Sequence, residues 1–115
     1  MAAYGVGLVE VPIVPDKLED AFKVFTEHPH GLQYTSIQPG FLGASVSCDA
    51  EKNSIIVMEK WVKKEDWNTY GATRRVTEGE LGEKNAAWNA VFGPLVGGAP
   101  RMLSMDCKKN FGTGI

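Results

Sequence analysis

A strand that is apolar on both faces constrains this chain more than anything else in it. Residues 4–14, YGVGLVEVPIV, put Val6 and Leu8 on one side of an extended segment and Val9, Val11 and Ile13 on the other, and the run closes at Pro15. Ile55, Ile56, Val57 and Met58, leading into Glu59, Lys60 and Trp61, make another strand with β-branched residues on both faces. A sheet built from such strands needs cover on both sides.

The helices supply cover for one side. Asp16 followed by Glu19 resembles a capping box, and Leu18, Ala21, Phe22 and Phe25 then recur at helical spacing until Pro29 stops the pattern. The segment HPHGLQYTSIQPG reads as a loop, and its Pro39-Gly40 turn opens a strand from Phe41 to Cys48. Asp49 to Asn53 is a hairpin turn. Beyond Trp61, Lys63 to Asp66 open a short helix with Trp67 and Tyr70 on one face, which Gly71 ends or bends. Thr77 with Glu80 repeats the capping signal before Leu81, Lys84, Trp88, Val91 and Phe92, and Gly93-Pro94 breaks that helix, with Leu95 in its exit turn. GGAP then precedes a last strand, Met102 to Cys107, and residues 109–115 read as a loose tail.

The resulting order, β, α, β, β, α in two pieces, β, predicts an α+β ferredoxin-like sandwich with a four-stranded antiparallel sheet and all helices on one face. The helix-free face is then apolar and uncovered. A second subunit's sheet is its economical cover, giving a homodimer in the form of an α/β barrel.

At 115 residues with 43% hydrophobic content, the chain suffices for a single domain over 1–115. A chain of this size buries only about two-thirds of the surface its unfolded form exposes, which again favours self-association. The 12 basic and 14 acidic residues, net −2, give no basic excess to meet a phosphate backbone or an anionic bilayer, so nucleic acid and membrane are not expected partners. The pairs Lys63-Lys64, Arg74-Arg75 and Lys108-Lys109 read as solvated surface. Cys48 and Cys107 sit in apolar strand-like runs and read as free, buried thiols. With no signal-peptide pattern at MAAYGVGLVEV, a cytoplasmic location is expected.

Three segments together resemble the antibiotic biosynthesis monooxygenase family of the dimeric α+β barrel superfamily. They are the turn Gln38-Pro39-Gly40-Phe41-Leu42-Gly43, the strand end Glu59-Lys60-Trp61, and the helix from Trp67 to Tyr70. The resemblance runs from Gly5 to near Cys107. It implies a substrate cavity between sheet and helices and, as one activity of the family, oxygenation without a cofactor. Many members carry a tryptophan at the end of strand three, a bulky apolar residue six positions later and a histidine nine positions later; here these are Trp61, Trp67 and Tyr70. A tyrosine replaces the group most easily cast as a base near neutral pH. The haem-degrading branch uses an asparagine early in strand one and an axial histidine about ten residues beyond the Tyr70 position. This chain has neither, since Val76 to Glu80 holds no histidine.

The candidate catalytic residues are therefore Tyr70 and Asn68, whose phenol and carboxamide need partners when buried, and the candidate substrate-binding residues are Trp61, Trp67, Phe22, Phe25 and Trp88. Aromatics at helical spacing are also ordinary core formers. Glu59, on a strand face shared with Ile55, Val57 and Trp61, is paired, at a wet strand end, or raised in pKa, and Glu10 poses the same question. His28-Pro29-His30 reads as a helix-ending loop and not as a metal site. The resemblance thus implies a cofactor-independent monooxygenase acting on a small aromatic or polyketide-like substrate. The alternative is a non-catalytic dimeric binding or stress-response protein that holds a small hydrophobic ligand.

Overall fold

The computed structural model describes residues 4–111. The elements run β1 (Tyr4–Pro12), α1 (Leu18–Glu27), α2 (Leu32–Ser36), β2 (Phe41–Asp49), β3 (Ser54–Trp61), α3 (Lys64–Thr73), α4 (Gly79–Phe92) and β4 (Arg101–Cys107). The strands form one antiparallel sheet in the order β2-β3-β1-β4, which is the ferredoxin-like arrangement the sequence predicts. The expected tail falls partly at Lys109 to Phe111, which carry no regular structure, and partly outside the described residues.

Strand pairing sorts the two faces. Gly5, Gly7, Val9 and Val11 of β1 stand opposite Trp61, Glu59, Val57 and Ile55 of β3, and this face lies under the helices. Val11, Ile13, Ile55 and Val57 are buried there with Ala21, Trp88 and Phe92. The other face carries Val6, Leu8, Ile56 and Met58, with Leu103 and Met105 from β4. Leu103 and Met105 are 47% and 41% exposed, so the apolar, helix-free face expected from the sequence is open in the single chain.

Local details depart from the sequence reading. Neither capping box forms: α1 starts from Lys17 and α4 from Glu78, both without a side-chain cap. Asp16 is instead in the left-handed region at φ 66°, not the extended conformation usual for a capping residue. The loop after α1 holds the short helix α2, and α3 runs through Gly71 to Thr73. The buried stripe of α4 is Gly82, Asn85, Trp88 and Phe92, while Val91 is 45% exposed. Cys48 and Cys107 are both free, but Cys48 is exposed because β2 is an edge strand. No helix among the described residues is long and apolar enough to cross a membrane.

Candidate active site

Glu59 and Trp61 lie two residues apart on β3, so both side chains face the helices. Trp61 is wholly buried and Glu59 is 4% exposed. The indole Nε1 of Trp61 donates to Glu59 Oε1 at 3.1 Å. Burial raises the Glu59 carboxyl to about 7, against the milder opposing pull of that hydrogen bond and of the Arg74 charge. Such a group exchanges a proton near neutral pH.

Helix α3 closes over this carboxyl. Trp67, Tyr70 and Arg74 recur three and four residues apart and share the inward face. β1 admits the helix because Gly5 and Gly7 have no side chain: a Cβ on Gly5 would collide with the Lys64 backbone, and one on Gly7 with the Trp67 indole. Gly7 is the cross-strand partner of Glu59, so Trp67 is laid down beside the carboxyl. Its Nε1 is buried and makes no hydrogen bond, although it lies near enough to favour the ionised carboxylate. An unpartnered indole N–H beside a buried carboxyl is costly unless something else occupies it.

Tyr70 stacks on Trp61 with ring centroids 5.3 Å apart. Its hydroxyl is 2.6 Å from Thr35 Oγ1 and accepts from Arg74 Nε at 2.8 Å. Burial raises its pKa, opposed by Arg74 and Thr35, so the phenol stays protonated at neutral pH. Arg74 also donates to the carbonyls of His30 and Gly31 and to Thr35 Oγ1, tying α3 to α2. Far from being solvated like its neighbour, Arg74 is the half-buried hub of this network; the sequence pair Arg74-Arg75 divides because, in the turn that ends α3, only Arg74 faces inward.

The structure thus brings Trp61, Trp67 and Tyr70 together and leaves the other sequence candidates elsewhere. Asn68 is exposed, carried outward by the helical step after Trp67. Phe25 and Trp88 pack with Phe92 in the core, with Trp88 and Phe92 stacked at 4.8 Å. Phe22 is 36% exposed and borders a separate surface cavity of about 410 Å³ with Cys48 and Asn53. Glu59, Arg74 and Thr35 are the members that sequence reasoning left out of the site. Only Glu59 gave a signal, as a carboxylate on an otherwise apolar strand face. Among the described residues no three His, Cys, Asp or Glu side chains gather in a way that could hold a metal ion.

No protein-family model and no curated protein matches the chain. Solved structures do. A monooxygenase from the gene ActVA-Orf6 of Streptomyces coelicolor, in complex with nanaomycin D, superposes with a TM-score of 0.69 at 18% identity, over 97% of this chain and 94% of that one. A Nitrosomonas europaea protein bearing the antibiotic biosynthesis monooxygenase designation gives 0.66 at 16% identity, over 97% of each chain. The chain has the antibiotic biosynthesis monooxygenase fold. SnoaB, a cofactor-independent oxygenase from Streptomyces nogalater, shares the same fold at a TM-score of 0.60 and 12% identity, over 95% of this chain and 97% of SnoaB. At these identities the likeness is one of architecture, and in an antibiotic biosynthesis monooxygenase fold chemistry has to be argued from the site.

Proposed function

We propose that this protein is a cofactor-independent monooxygenase for a small, electron-rich aromatic or polyketide-like substrate, and that it works as a homodimer joined through the open sheet face. The observation that carries the reading is the Glu59 carboxyl, poised at about 7 beside an indole N–H with no partner. Glu59 takes the place of the base that the tyrosine at position 70 does not supply. Activities named for proteins of the same fold, including an oxygenase that needs no cofactor, support it.

In this mechanism the Glu59 carboxylate removes a proton from an activated ring CH₂, and Trp67 Nε1–H donates to the oxygen of the resulting enolate. The carbanion passes its electrons to dioxygen and forms a carbon–oxygen bond. The hydroperoxide then loses water to leave a carbonyl, so one dioxygen converts CH₂ to C=O and releases one water. Trp61 and Tyr70 wall the site from solvent, and Arg74 holds Tyr70 in place.

The test is dioxygen uptake on anthrone by protein freed of metal with a chelator. Wild type consumes one dioxygen per anthrone, and Glu59→Gln loses on the order of a hundredfold or more in rate, the scale of a missing general base. A dimer that only holds a hydrophobic ligand binds anthrone without consuming oxygen, and that outcome rejects the enzyme reading.

A further inference from the structure

A second candidate site lies beside α2, and Glu59 is not among its lining residues. A groove of about 690 Å³ between α2 and the first turns of α4 is lined by Pro29, His30, Tyr34, Ile37, Leu81 and Ala87, among others. Its volume is that of a pocket for a drug-sized molecule. Ile37 is 78% exposed at its rim, while His30 is only 6% exposed.

The hydrogen bonds around His30 fix its chemistry. Asn85 Nδ2 donates to the carbonyls of Thr73 at 2.8 Å and Val76 at 3.0 Å, which settles which end of the amide is oxygen. Asn85 Oδ1 then stands 2.7 Å from His30 Nε2, so Nε2 carries the proton. In the neutral ring this leaves Nδ1 as a bare acceptor, with no hydrogen-bond partner among the described residues. The ring also packs against Tyr34, tilted by 32° with centroids 4.2 Å apart. His28 is not a competing acceptor, because its Nδ1 already receives the His30 backbone N–H at 3.0 Å. The charges at the rim, Lys84 and Glu80, pair with each other at 3.2 Å and leave no excess of either sign there.

We propose that this groove binds a neutral, mostly apolar aromatic molecule bearing one hydroxyl or ring N–H, which donates to His30 Nδ1. An acceptor held in place by Asn85 orients such a ligand, and the open sheet face carries no helix, so dimerisation there leaves the groove free. Glu59 does not line the groove, so the proposal does not rest on the oxygenase reading, although Arg74 and Tyr34 connect the two regions through Tyr70.

The test compares 2-naphthol with 2-fluoronaphthalene, similar in shape but without the donor. Each is titrated into the protein while NMR follows the His30 imidazole nitrogens and the Ala87 methyl. Before ligand is added, the nitrogen shifts should show the Nε2-protonated ring. 2-Naphthol should then bind about tenfold more tightly than the fluoro compound, the value of one hydrogen bond, and should move His30 Nδ1 most. Ala87→Glu, on an exposed helical position, should keep the folded spectrum and weaken 2-naphthol by about tenfold or more. Glu59→Gln should leave that affinity unchanged. Equal binding of the two compounds, a ring protonated on Nδ1 alone, or an Ala87→Glu protein that binds as wild type would each overturn the proposal.

Discussion

Trp61 Nε1 donates the hydrogen bond by which Glu59 is held, 3.1 Å away and two residues along the same strand, with Glu59 Oε1 the acceptor. One neutral donor is poor compensation for a carboxylate out of water, and the group therefore keeps its proton to about pH 7. In the unfolded chain it would release that proton near pH 4.3.

That difference sets the pH dependence of stability. Between those two pH values the folded state binds the extra proton, so stability falls as pH rises, and above pH 7 the full cost, about 4 kcal/mol, is present. Glutamine keeps an oxygen for Trp61 and has no proton to lose. Glu59→Gln should raise unfolding stability at pH 8 by up to about 4 kcal/mol and change it little at pH 4. Urea denaturation at both pH values checks this, and an equal effect at the two would contradict it.

Gly7→Ala should cost about 1–3 kcal/mol, because the new methyl takes the space of the Trp67 indole and the strand cannot yield. Tryptophan emission should shift to the red as Trp67 moves toward water. A variant within 0.5 kcal/mol of wild type, taking about that margin as neutral for a surface change, would show that α3 does not rest on this glycine.

Arg74 and Arg75 should behave differently. Arg74→Leu strands the carbonyls of His30 and Gly31 and loses the Tyr70 and Thr35 contacts, at a cost of about 3 kcal/mol. Arg75→Ala should stay within about 0.5 kcal/mol. Chemical denaturation of the two variants side by side decides the matter, and equal losses would remove Arg74 from the network.

Met58 lies on the open sheet face, paired with Leu8 and Ser45. Light scattering on the wild-type protein should give twice the 12.5 kDa chain mass, and Met58→Lys should give the single chain with its secondary structure retained. A wild-type monomer at micromolar concentration would reject the dimer.

The sequence exposes the sheet and its two faces because periodicity within a strand is a local property, as Val6, Leu8 and Val9, Val11 show. It also exposes the Trp61, Trp67 and Tyr70 cluster, whose members stand at strand-end and helical spacing. It flags Glu59 as a carboxylate on an apolar strand face but does not decide its protonation, which depends on a cross-strand glycine at position 7 and on a helix laid over it, neither visible from Ile55 to Trp61. It hides Arg74 because Arg75 beside it has the same charge and a different face. Helix α2 is masked by the prolines and glycines around it, and Asp16 and Thr77 carry capping signatures whose backbone does not deliver them to the helix.

Titration of the Glu59 side-chain carboxyl, followed by its ¹³C resonance and assigned with Glu59→Gln, tests the account most directly. The account predicts a midpoint about 7 in the folded protein, falling back toward about 4.3 in urea-unfolded chains. A folded-state midpoint in the ordinary range near 4.3 would mean that Glu59 is a common ionised carboxylate at neutral pH, and it could not serve as the poised base on which the proposed reaction rests.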